Sequence, residues 1–171
     1  REMQPRFDNF GIGLFSRHPL ISARIVPFGL VDIPTIFAQV LLAGRPLNLI
    51  ATHPMPPGEA LLARERNRQL DWLAGEIAGL SGSVLLVGDL NAAPWSPVFG
   101  RFERTSGLID SARGRSIHPT WPAFIPLLWI PLDHLLHSPD LAVRNYNVGA
   151  AVRSDHLPVI VDFTWPAPPG N

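Results

Sequence analysis

The run Ser83-Val-Leu-Leu-Val-Gly88 is apolar at four consecutive positions, rich in β-formers and too short for a helix, which predicts a buried strand closed by glycine. Polar groups follow at once. Asp89 and Asn91 flank Leu90, and in an extended chain residues two apart share a side, so carboxylate and carboxamide are expected together while Leu90 turns to the core. Ser96-Pro97 then predicts a short helix over 96–104, with Ser96 as N-cap and Pro97 at its first position.

The same reading along the rest of the chain gives strands over 11–16, 21–27 and 34–43, and a hairpin partner for the last over Pro46–His53 across the turn Gly44-Arg45. Leu62, Leu70, Leu73, Ile77 and Leu80 keep a mostly three-or-four spacing, which predicts a helix over 59–80 with Arg66, Arg68 and Gln69 on its polar side. Further strands are expected over 131–137, 141–148 and 159–163. In the first of these Asp133 and Leu135 share a face and His134 points the other way, to the surface. Residues 1–10 read as a loop and 165–171 as a frayed tail. The segment Trp121–Pro131 is apolar but interrupted by proline, so it reads as a packed loop, with an apolar lip at Phe124, Trp129 and Ile130 as the alternative. Many short strands with one long and one short helix make a sheet-rich α/β sandwich, expected as one domain over 1–171.

Composition narrows the chemistry. With 14 basic and 14 acidic residues the net charge is zero, so no long-range field draws the chain to nucleic acid or an anionic membrane. The absence of cysteine excludes disulfides, thiolate zinc sites and cysteine nucleophiles, leaving oxygen and imidazole to do the work. No apolar run reaches the ~18 residues that span a bilayer.

Four expected strand ends carry reactive groups: His53, the Asp89/Asn91 pair, Asp133 and the Asp155-His156 pair. The motifs Thr52-His53, Gly88-Asp-Leu-Asn91, Leu132-Asp-His134 and Ser154-Asp-His-Leu-Pro158, in this order, resemble the endonuclease/exonuclease/phosphatase superfamily. Thr52-His-Pro-Met-Pro-Pro57, Thr120-Trp-Pro122 and Pro131-Leu-Asp-His134 are similar to a bacterial subgroup that often carries N-terminal membrane helices. The resemblance implies a DNase I-like four-layer α/β/β/α sandwich with mainly antiparallel mixed sheets. It implies hydrolysis of a phosphate ester in nucleic acid, a phospholipid head group or a small molecule, with Mg²⁺ or Mn²⁺ as cofactor.

By match of motif, His156 is expected as general base, Asp133 as its partner and Asp155 as a metal ligand; Asp89 would orient water or the leaving oxygen, Asn91 would bind a phosphoryl oxygen, and His53 would donate to the phosphate. Asp89 and Asn91 also count as possible metal ligands. The resemblance further implies an Asn and a Glu upstream of residue 1, so the chain is expected to hold the C-terminal two-thirds of the domain, with Glu2 outside any strand. Exposed sheet edges would then be covered by a further copy, and membrane association would come from a segment outside this chain. Two rival readings use the same residues: a catalytically incomplete interaction module, and a mononuclear zinc hydrolase built on His53, Asp89 and His156.

Overall fold

A computed structural model describes residues 1–167. Its centre is a six-stranded sheet in the order β3 (Leu20–Phe28), β4 (Ile33–Leu42), β5 (Arg45–Thr52), β6 (Ser83–Asp89), β8 (Asp133–His137) and β7 (Ile109–Asp110). Only β5 and β6 run parallel, because the long helix α1 (Ala60–Ala78) makes the crossover between them. Two separate antiparallel pairs, β1 (Glu2–Gln4) with β2 (Ile12–Leu14) and β9 (Ala142–Val148) with β10 (Val159–Thr164), complete the strands. This is the sheet-rich α/β class with mixed sheets that the strand and helix pattern predicts.

Alternation along each strand divides the sheet's faces. Phe37, Ile50, Val84, Leu86 and Leu136 face the helices and pack with Leu70, Leu73 and Ile77 of α1 and Phe99 and Phe102 of α2 (Pro97–Ser106). Burying each such side chain contributes about 1.5–3 kcal/mol, so this cluster is the main source of cohesion. Ile36, Ala38 and Ala51 face the other way, toward Leu14 of β2, and Leu47 and Leu85 pack with Leu141 beside β9. Helices, main sheet and strand pairs thus form successive layers. Ser96 caps α2 as its sequence predicts, accepting from the Phe99 N–H.

Several expectations change in three dimensions. Residues 2–4 form β1 rather than loop, so Glu2 does sit in a strand, opposite Leu14. Gln69 is buried beneath the sheet, where its amide reaches Thr35 and Thr52 at 3.4 Å each. A single Gln on an otherwise polar helix side gives no sign of that until the helix is docked. His134 and His137 are likewise buried. The opposite side of β8 from Asp133 faces α2, and there His134 packs on Phe99 and donates to the Ala92 carbonyl at 3.0 Å. Trp165 is anchored, its indole N–H donating to Ser83 Oγ at 2.7 Å, while residues 168–171 of the expected frayed tail lie outside the described residues.

Gly88 holds the ends of the central strands together. Its φ of 148° favours glycine, and a Cβ there would lie 1.9 Å from the Thr52 carbonyl oxygen. No rotamer relieves a clash between Cβ and backbone. Gly88→Ala is therefore expected to lower the unfolding free energy by about 2 kcal/mol or more, measured by urea unfolding; an unchanged midpoint would show that the close approach is not needed.

Candidate active site

The strand ends that the register aligns carry the polar residues. Asp89 closes β6 directly opposite Asp133, the first residue of β8, and both carboxylates fall on the face away from the helices. His53 follows the end of β5, and Pro54 stops the strand there. His156 arrives from the loop before β10, its backbone N–H donating to Ser154 Oγ at 3.1 Å. Four segments far apart in the chain therefore meet at one edge of the sheet.

The central contact is a hydrogen bond of 2.7 Å from His156 Nδ1 to Asp133 Oδ2. An ionised carboxylate only accepts, so Nδ1 carries the proton and Nε2 is left with its lone pair toward the site. Asp89 Oδ2 lies 3.7 Å from that Nε2 and 3.5 Å from His53 Nε2. The bond to Asp133 raises the pKa of His156, and the charges of Asp133 and Asp89 add to it against the opposing effect of burial. Burial lowers that of His53, with the neighbouring His156 acting in the same direction. Burial likewise pushes the Asp89 carboxyl up to about 6, and the Asp133 and Asp155 charges add to this against the hydrogen bond from the Asn91 N–H.

Asn91 is placed differently from the sequence expectation. The chain leaves the strand after Asp89, and Asn91 adopts a left-handed φ of 49°. Its N–H donates to Asp89 Oδ1 at 2.7 Å, and its side-chain amide donates to the Pro54 carbonyl at 2.9 Å. Asp89 and Asn91 thus make a local turn that fixes the carboxylate and ties the β6 end to the Pro54 loop. Asp155 is exposed, and its backbone carbonyl accepts from the Ala123 N–H at 2.7 Å. It shares with His53, Asp89, Asn91 and His156 the wall of a cavity of about 820 Å³.

Three further residues, which the sequence did not single out as site residues, support the site. Arg66, expected on a solvated face of α1, reaches over and donates to the Asn91 carbonyl. Phe10 packs its ring 5.4 Å from that of His53. Thr120, fully buried, accepts from the N–H groups of Leu132 and Asp133 at 3.1 and 3.2 Å and so sets the start of β8. Its place in Thr-Trp-Pro was the available signal; nothing in the sequence marks Arg66 or Phe10.

Among the described residues, Asp89, Asp133 and His156 form the one group whose ligand atoms lie within 4.8 Å of one another. Asp155 lies outside it, as does the His53 that a zinc centre would use. The donors present nonetheless suit a hard divalent cation: the carboxylates of Asp89 and Asp155 line one cavity, and repulsion from Asp155 and from the adjacent Asp133 helps hold Asp89 high.

A mixed sheet backed by helices on one face, with a His-Asp pair and a second acid at its strand ends, defines a DNase I-like α/β protein. The chain belongs to the endonuclease/exonuclease/phosphatase family, whose model matches residues 4–156. Its fold is similar to that of an endonuclease/exonuclease/phosphatase from Beutenbergia cavernae, with a TM-score of 0.71 and 23% identity over 88% of this chain and 46% of that one. It is similar also to a Bacteroides thetaiotaomicron mannosyl-6-phosphatase, with a TM-score of 0.65 and 19% identity over 85% of this chain and 67% of that one. D. rerio TDP2 complexed with single-strand DNA product gives a TM-score of 0.68 and 17% identity over 85% of this chain and 68% of that one. The chain thus spans about half the length of the first of these and two-thirds of the others. No curated protein matches it in sequence.

The raised Asp89 pKa has a direct consequence for stability. The unfolded carboxyl, near 3.8, releases its proton before the folded one, near 6, so metal-free protein loses stability between those values and stays destabilised above them. Asp89→Asn, which keeps the acceptor for the Asn91 N–H, is expected to stabilise the protein by about 1–3 kcal/mol at pH 7.5 and hardly at all at pH 3. Urea unfolding in EDTA at both pH values measures this, and an equal effect at each would contradict it.

Proposed function

We propose that this chain carries the hydrolytic centre of a divalent-metal-dependent phosphoesterase. The observation that carries the reading is the Asp133-His156 pair, with the free Nε2 aimed into a cavity beside Asp89. His156 takes a proton from the attacking water through Nε2, while Asp133 holds the tautomer and stabilises the imidazolium that forms. The water oxygen bonds to phosphorus as the ester P–O bond breaks, and the departing oxygen leaves on the far side. Asp89 orients the water or the leaving oxygen. His53 donates to a phosphoryl oxygen as charge builds, and Asn91 faces the same cavity.

Asp89 and Asp155, with Asn91, are the residues that would hold Mg²⁺ or Mn²⁺. Such an ion supplies charge neutralisation on the phosphoryl oxygens. Family membership supports phosphate-ester chemistry, as do structural neighbours described as a phosphatase and as a complex with a DNA product.

Hydrolysis of bis-p-nitrophenyl phosphate with Mg²⁺ or Mn²⁺ tests the proposal. His156→Ala is expected to lower kcat by roughly 10²–10⁴-fold. Activity unaffected by that change, or retained in EDTA, would defeat the assignment. Tight retention of Zn²⁺ with Mg²⁺ ineffective would favour the zinc hydrolase instead.

The pH profile gives a second check. Because the base acts unprotonated, kcat/KM should rise with pH through the His156 pKa and then level off. Asp133→Asn leaves an oxygen to accept from Nδ1 but removes the carboxylate charge that raises this pKa, so the midpoint should move to lower pH even as the plateau falls. A midpoint that stays in place would mean that His156 is not the titrating base.

A further inference from the structure

The edge of the sheet that bears the polar site is also where the protein exposes large apolar side chains. The segment 121–130 leaves and returns to the cavity wall through paired hydrogen bonds between Trp121 and Ile130, at 3.1 and 2.7 Å. Between these anchors Phe124, Leu127, Leu128 and Trp129 stand in solvent, Leu127 at 93% exposure. This corrects the packed loop expected from the sequence. From Pro119 to Leu132 there is no charged residue.

The other side of the mouth repeats the pattern. Thr35 pairs with Thr52, so the turn between β3 and β4 projects just past the level of His53, and it exposes Leu30 at 75% and Val31 at 46%. Arg6 donates to the Val31 and Asp32 carbonyls at 3.0 Å each, bringing the fully exposed Phe7 to this same turn. Leu61, exposed on the first turn of α1, follows Pro56, Pro57 and Gly58 of the cavity wall. Ile21 and Leu41, by contrast, lie at the other end of the sheet.

We infer that this rim docks on a lipid–water interface and turns the site toward phosphate esters of amphiphiles presented there. The cavity fits that ligand class: His53, Asp89, Asn91 and His156 supply a polar part for a phosphate, and Phe10, Trp121, Ile130 and Leu132 an apolar part continuous with the exposed loop. The exposed side chains come from four separate segments, and fluid lipid can meet all of them without a matched shape. Aromatic and aliphatic tips such as Phe7, Phe124 and Trp129 are of the kind that settle at the bilayer interface. Zero net charge points to zwitterionic lipid held by apolar insertion rather than to anionic lipid held by charge. The docking rests on the rim alone; the substrate class rests also on the phosphoesterase reading.

Sedimentation with phosphatidylcholine vesicles in EDTA tests docking without catalysis. The chain should bind, with a partition coefficient little changed between roughly 0.05 and 0.5 M NaCl. The double substitution Leu127→Asp/Trp129→Asp on one lip and Leu30→Asp on the other should each reduce it by about tenfold or more. Circular dichroism and hydrolysis of bis-p-nitrophenyl phosphate should be unchanged. Absence of vesicle binding, or binding indifferent to both variants, would overturn the inference. So would a dimer that the same variants dissolve, since the rim would then cover a second copy. Vesicle binding lost in the variants without any hydrolysis of the soluble ester would leave docking standing and defeat only the catalytic reading.

Discussion

Everything at the site depends on three strands ending at one level, and that alignment rests on the close approach of Gly88 to the Thr52 backbone. With a side chain at 88, β5 and β6 could not stay in their parallel register through Ala51 and Val87. Through the antiparallel pairing of Asp89 with Asp133, the same register then places β8. Thr120 secures that end by accepting from two successive N–H groups. Because the strand period is two, a slip of one residue would send both carboxylates to the helix side, where Leu86 and Leu136 now pack.

Once aligned, the site is an electrostatic compromise. Asp89 is crowded by two other carboxylates and desolvated, which costs stability and raises its pKa, while His156 is stabilised in its charged form by Asp133. Both pKa values move up, which disfavours the charged carboxyl and favours the charged imidazole, and such perturbed neighbouring groups are characteristic of sites poised for proton transfer or cation binding. The Asx turn to Asn91, the Asn91 bond to the Pro54 carbonyl and the reach of Arg66 from α1 all brace the loop that carries this strain. The helix layer therefore contributes to the site as well as to the core.

The mouth combines two solvation problems that are usually separated. Its floor concentrates charge, whereas its rim leaves aliphatic and aromatic side chains in water. An exposed Leu or Phe costs free energy in proportion to its wetted area, and scattered cases are ordinary. Clustering around one cavity is not. The prolines of 119–131 restrict the chain, and the Trp121–Ile130 pairing pins it at its base, so these side chains are held outward instead of collapsing onto the sheet.

The sequence by itself determined most strands, both helices with the Ser96 cap, and the identity of His53, Asp89, Asp133 and His156 as candidate chemistry, because hydrophobic period and local motif are properties of neighbouring residues. Only the tertiary structure decided which of them touch. It brought His156 to Asp133, left Asp155 at the cavity wall, turned Asn91 into a brace, buried Gln69 and His134 under the helices and exposed the apolar rim. Those outcomes depend on which face another element covers, and a linear pattern carries no record of an element packed against it from a distant part of the chain.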